Sequence, residues 1–195
     1  DTGGSRTQYF LGEFDGNTFR QLESFGEVRW IDAGYDNYAG VSFNGAPERV
    51  MIGWGASWTY AADTPTGEYC GSMTLPRRVF LVDNIKGLRL AFEPALAPMP
   101  DAPSFSGGGM LPGETFRMAI RASGVFEVRL VADSGERLKF GLDAEDNLYV
   151  DRSLAGERAF NKFFDSPLYQ VTKAPRLGCG MIEMELVFDV CIAEL

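Results

Sequence analysis

The run ETFRMAIRASGVFEVRLVADSGERLKFGLDAEDNLYV, residues 114–150, carries the clearest two-residue period in the chain. Phe116, Met118 and Ile120 alternate with Arg117 and Arg121. Phe126, Val128 and Leu130 alternate with Glu127 and Arg129, and Ser134-Gly135 makes a turn. Leu138, Phe140 and Leu142 alternate with Lys139 and Asp143, and Leu148 and Val150 follow an Asp146-Asn147 turn. Further on, Ile182, Met184, Leu186 and Phe188 alternate with Glu183, Glu185 and Asp189. A period of two sends successive side chains to opposite faces, so each run buries one face and wets the other. Several such runs predict an antiparallel β-sandwich. Each fully buried large side chain contributes about 1.5–3 kcal/mol, so the inward set makes an adequate core before entropy is subtracted. The last run reaches Leu195 without a turn signal. Either the chain ends there on a sheet edge or the sandwich is cut short.

Working outward, residues 94–113 hold five prolines and four glycines and no period. Proline lacks the N–H that a ladder needs, so a linker or crossing loop is expected. Before it come short strand-like runs: Thr7–Phe14 (then Asp15-Gly16-Asn17, a turn), Tyr38–Phe43, Val50–Trp54, Ser72–Leu75, Val79–Val82 and Leu88–Phe92. Ser57–Tyr69 reads as an irregular aromatic loop. Short strands with tight turns suit a meander, as in a propeller blade. The expected division places the first unit at 1–87 and the sandwich at 88–195, with the linker at about 94–113.

Bulk properties narrow the function. The net charge of −9 argues against nucleic acid, which needs clustered Lys and Arg. No apolar run approaches membrane-spanning length, so no membrane partner is expected. Histidine is absent, which excludes a His-based triad and argues against catalytic zinc. No metal site and no cofactor is expected. Cys70, Cys179 and Cys191 lack metal spacing; free, partly buried thiols are expected, with Cys179–Cys191 the nearer pair in sequence. The chain begins at Asp1 without Met, so removal of an upstream segment is expected.

The stretch WIDAGYDNYAGVSFNG, continued by VMIGWGASWTYAADTPTGEYCGSMTLPRR to Arg78, holds all three tryptophans and four of the seven tyrosines. Aromatics mixed with polar groups and glycines suit a carbohydrate site, where sugar rings stack on flat faces and hydroxyls find fixed partners. Trp54 ends an apolar strand, so a core position is the alternative for it. Arg77 and Arg78 are expected to pair with carboxylates. Asp151 and Arg152 are expected to form a surface pair.

TQYFLGEFDG (Thr7–Gly16), DAGYDNYAG (Asp32–Gly40), VMIGWGASWTYA (Val50–Ala61) and PTGEYCGSMTLPRR (Pro65–Arg78) resemble, in order and spacing, glycoside hydrolase family 32, the β-fructofuranosidases, levanases and exo-inulinases. LYVDRSLAG (Leu148–Gly156) and ELVFDVCIAEL (Glu185–Leu195) resemble that family's C-terminal domain. The resemblance implies an all-β chain: the last part of a five-bladed β-propeller followed by an antiparallel β-sandwich. It implies a retaining enzyme acting on terminal fructosyl linkages of sucrose, inulin or levan. The family's W-x-N-D-P-N-G, R-D-P and E-C motifs do not occur here. No catalytic residue is therefore expected in this chain; the nucleophile Asp and acid/base Glu are expected upstream. The resemblance favours Trp54 as a wall stacking on sugar. Asp36 and Tyr38 are expected to face the pocket as polar partners of sugar hydroxyls or of the acid/base Glu, with shaping of a turn and strand start as the alternative. Trp58 and Tyr60 are aromatics in a loop, where exposed rings suit binding, and are expected as outer subsite residues, with packing as the alternative. Tyr69-Cys70-Gly71 stands where many members have W-R-S, and Trp54-Gly55-Ala56-Ser57-Trp58 where many have W-M-S-N-W. The implied partners are a fructose-containing sugar and the remaining propeller blades; oligomerisation through the sandwich, giving a homo-oligomer, is a further reading for the parent protein. A secreted protein is expected, with a cytoplasmic one as the alternative. A non-catalytic carbohydrate-binding sandwich is the competing reading.

Overall fold

The computed structural model describes residues 5–22, 28–97, 106–111, 113–189 and 192–195. Near the start, β1 (Gly12–Phe14) and β2 (Phe19–Gln21) form a hairpin. Asp15 Oδ1 closes it by accepting the Asn17 and Thr18 N–H groups at 2.9 and 2.8 Å. Only the end of the expected Thr7–Phe14 strand is in this ladder. Its beginning runs beside residues 29–31, with Tyr9 N–H on Arg29 O and Ile31 N–H on Thr7 O, both at 3.0 Å.

A second sheet follows: β3 (Tyr38–Ser42), β4 (Val50–Gly55), β5 (Ser72–Met73), β6 (Arg77–Asn84) and β7 (Gly87–Pro94). Its order is β3-β4-β6-β7, with β5 also on β4, and every pairing is antiparallel. This is the expected meander. A bulge interrupts β3 between Tyr38 and Val41, and Ala39 within it has φ +51°. The expected division at 87/88 falls in the hairpin between β6 and β7, where Asn84 Oδ1 accepts the Lys86 N–H at 2.8 Å. Gly87 takes φ +81°, a conformation that suits glycine because it has no Cβ. β7 pairs with β6 along its whole length, so this sheet runs on to Pro94. Of residues 94–113, positions 98–105 and 112 lie outside the described residues; 95–97 and 106–111 join no strand or helix.

The alternating runs become β8 (Thr115–Ala122), β9 (Phe126–Val131), β10 (Arg137–Leu142), β11 (Asn147–Leu154) and β13 (Ile182–Asp189), and two further strands join them, β12 (Val171–Pro175) and β14 (Ile192–Glu194). One sheet has the order β12-β11-β10-β9 and the other β14-β13-β8. The helix α1 (Pro167–Gln170) is a single turn that opens with proline, which fits the first helical position because its missing N–H has no partner there anyway. Phe140 and Leu142 of β10 and Ile182 and Leu186 of β13 are buried, as their inward phase requires. Phe116 and Phe188 stack across β8 and β13 with ring centroids 5.1 Å apart.

Three readings change. The last run is not one edge strand: β14 turns back antiparallel on β13, pairing Val187 with Glu194. Cys70 and Cys179 are exposed free thiols rather than partly buried ones, and Cys191 lies outside the described residues. Asp151 and Arg152 do not pair with each other. Adjacent strand residues point to opposite faces, and Asp151 meets Lys139 at 2.9 Å while Arg152 reaches Asp36 in the loop before β3.

Candidate functional site

The loop before β3 is built around Asp32. Its Oδ1 accepts the Gly34 N–H at 3.0 Å. Its Oδ2 accepts from Asn37 Nδ2 at 3.1 Å and from Arg77 Nη1 at 3.0 Å. Arg6 donates to the Asp32 carbonyl at 3.1 Å and lies over the rings of Trp30 and Tyr35. Asn37 is buried, with its Oδ1 against Gly53; a Cβ there would stand 2.3 Å from that oxygen. Only glycine at 53 lets the loop seat so closely. The loop thus delivers Tyr38 to the sheet in a fixed register.

That register places Tyr38 opposite Trp54, and Trp54 opposite Met73. Directly opposed residues of an antiparallel ladder share a face. Tyr38, Trp54 and Met73 therefore form one row across β3, β4 and β5. The Trp54 indole N–H donates to the Cys70 carbonyl at 2.9 Å. Gly71 permits this close pass: at φ +73°, a Cβ there would lie 2.7 Å from Trp54 Nε1 and 2.4 Å from the Ala56 Cβ. Trp58 extends the row, its ring 4.9 Å from that of Trp54 at 52°, and it is 69% exposed. Its backbone N–H is held by Ser5 Oγ at 2.8 Å. The result is a solvent-facing aromatic wall with one edge pinned.

Asp36 and Tyr60 lie elsewhere, against the sandwich. Tyr60 is 5% exposed and its hydroxyl donates to Asp36 Oδ1. Asp36 Oδ2 receives Arg152 Nη1 at 3.0 Å. The Tyr60 ring meets those of Phe164 and Tyr169 edge-on at 4.8 and 5.6 Å. Burial above all, and then the Asp36 charge, push the Tyr60 phenol well above the ordinary tyrosine range. It stays protonated and donates.

The structure thus divides the five residues singled out in the sequence. Tyr38, Trp54 and Trp58 come together on one aromatic wall; Asp36, half-buried, pairs with the buried Tyr60 in a separate junction. Sequence reasoning missed Arg152, Tyr169 and Phe164, which complete that junction from more than 80 residues away. The available signal was the aromatic segment 160–169, which holds four aromatic residues without a strand period. Arg77 and Arg78 pair with carboxylates as expected: Arg77 with Asp32 and Glu194, Arg78 with Glu48 and Glu93.

The family model for the glycosyl hydrolases family 32 N-terminal domain matches residues 1–94, up to the last residue of β7. The extracellular exo-inulinase of Aspergillus niger is 31% identical over the whole of this chain and 41% of its own length. The chain belongs to glycoside hydrolase family 32. Among other relatives of this family 32 chain, the levanase of Bacillus subtilis is 29% identical over 85% of the chain and 28% of that protein. The crystal structure of the Aspergillus awamori exo-inulinase superposes with a TM-score of 0.84 at 26% identity, covering 96% of this chain and 43% of that one. The β-fructofuranosidase of Bombyx mori shares the fold, with a TM-score of 0.64 at 21% identity, covering 95% of this chain and 38% of that one. The family 32 chain spans about two-fifths of the length of the exo-inulinases it matches.

Proposed function

We propose that this chain is part of a retaining β-fructosidase that acts on terminal fructosyl linkages of sucrose, inulin or levan. The observation that carries the reading is the row of Tyr38, Trp54 and Trp58, with Tyr38 and Trp58 exposed and Trp54 half-buried between them. Flat aromatic faces suit sugar rings, whose C–H groups pack on them while hydroxyls reach outward. The tyrosine hydroxyl adds a polar group at the end of the row. Asp36 and Tyr60 serve the site by fixing the segments that present this wall. The nucleophile Asp and acid/base Glu come from other residues of the polypeptide, since none of the family's three acidic motifs occurs in this sequence. Retention requires those two carboxyl groups about 5–5.5 Å apart, and the wall holds the sugar between them.

In this reading the propeller portion ends at Pro94, the last residue of the β6–β7 ladder, and the sandwich follows the proline-rich segment. Secretion accords with the relatives named extracellular exo-inulinases. The test is fructose release from sucrose, inulin and levan by the polypeptide that carries this chain. Activity is expected there and not in the 195 residues alone. Trp54→Ala is expected to raise KM by about tenfold with a smaller change in kcat, the signature of lost uniform binding. Release of fructose by the isolated chain, or no release by the whole polypeptide, would overturn the reading.

A further inference from the structure

The two segments that present the ends of the aromatic wall, Tyr38 and Trp58, are gripped from the sandwich at one point. Asp36 lies two residues before Tyr38, and Tyr60 lies two residues after Trp58. Arg152 Nη1 holds Asp36 at 3.0 Å, and Asp36 in turn accepts the Tyr60 hydroxyl. The guanidinium is itself fixed twice more: Nε donates to the Tyr169 carbonyl at 2.7 Å, and its plane lies over Phe164 at 4.5 Å. A planar fork held by several contacts transmits orientation as well as charge, which a lysine ammonium does not.

We propose that Arg152 is a positioning residue for substrate: through Asp36 and Tyr60 it sets where Tyr38 and Trp58 stand on the wall. The proposal rests on the reading of that wall as a sugar-binding surface. Arg152 touches no sugar in it. The sandwich is thereby a working part of the binding site, because a half-buried arginine on β11 fixes two loop segments flanking β3 and β4 at once. A small displacement of a positioning group is costly: about 1 Å of misplacement far from the chemistry can cost up to a hundredfold.

The test uses the polypeptide that carries this chain and two readouts. The tilted Trp54–Trp58 pair gives an exciton couplet in circular dichroism, isolated as the difference from Trp58→Phe. Fructose-release kinetics give KM and kcat separately. With Arg152→Ala, most of the couplet is expected to vanish while the far-ultraviolet sheet signal remains. KM is expected to rise by about tenfold with kcat within about twofold. Exchanging the charges, Asp36→Arg with Arg152→Asp, is expected to recover part of both signals. Arg152→Lys keeps the charge but loses the bond to Tyr169, so it is expected to fall between wild type and alanine; it also serves should alanine fail to fold. An unchanged couplet and KM with only a lower melting temperature would overturn the proposal. If the wild-type polypeptide releases no fructose, the fructosidase reading fails, and the couplet alone decides whether Arg152 positions Trp58.

Discussion

Arg77 of β6 and Glu194 of β14 are 117 residues apart in sequence and 2.8 Å apart in space. Glu194 also accepts the Leu75 N–H at 2.6 Å, and Arg77 reaches on to Asp32. Burial draws the Arg77 guanidinium down, but Asp32 and Glu194 outweigh it and leave it above the ordinary arginine range. Glu194→Ala leaves a mostly buried guanidinium half-paired and a backbone donor unpaired. A loss of about 2–4 kcal/mol in urea unfolding is expected. A loss below about 0.5 kcal/mol would mean that the pair behaves like a solvated surface contact.

Gly71→Ala is expected to disturb the aromatic wall. The new Cβ meets Ala56 at 2.4 Å and Trp54 Nε1 at 2.7 Å, in a backbone conformation at φ +73° that alanine resists. The expected cost is about 1–3 kcal/mol. Because the Trp54–Cys70 hydrogen bond breaks, tryptophan fluorescence should shift as well. An unaltered emission spectrum with unaltered stability would contradict this geometry.

Phe140 and Phe163 make a controlled pair. Phe140 is fully buried in β10 and lies opposite Val128 and Val150 on its two neighbours, whereas Phe163 is 49% exposed. Phe140→Ala is expected to cost about 3–5 kcal/mol by transfer and cavity formation. Phe163→Ala is expected to stay within about 0.5 kcal/mol, as for most surface changes. Chemical denaturation of the two variants compares them directly.

Asp143 supplies a pH prediction. The Lys173 ammonium at 2.7 Å and the Asn147 N–H at 2.8 Å favour its charged form and hold its carboxyl at about 2. A depressed folded-state pKa means that the contribution is present above the unfolded value, near about 4, and is lost as pH falls toward 2. Lys173→Met should move the Asp143 midpoint upward in an NMR titration. No movement would mean that the backbone donor alone sets it.

Where the physics is local, the sequence announced it. The inward set of β8, β9, β10 and β13 was legible because a two-residue period is written in consecutive side chains. Asp15 announced its turn because its side chain bonds residues only two and three positions away. β12 was not legible: Val171-Thr172-Lys173-Ala174-Pro175 has little apolar contrast, and its strand state comes from pairing with β11. β14 was hidden for a similar reason, since only two residues separate it from β13. At the site, Tyr38, Trp54 and Trp58 stood out by composition. Nothing local marked Arg152 as the partner of Asp36, because a contact across 116 residues leaves no periodic trace.

The clasp of Arg77 and Glu194 also bears on how the molecule assembles. Its ends are separated by most of the chain, so closing it demands the loss of much loop entropy before any contact repays it. The hairpins β6–β7 and β9–β10 close over short loops and need no such prior ordering. Docking of the two halves is therefore expected after the rate-limiting barrier. Substitutions at Arg77 or Glu194 should hasten unfolding while leaving the refolding rate nearly unchanged. The seam would then govern how long the native state persists rather than how fast it is reached.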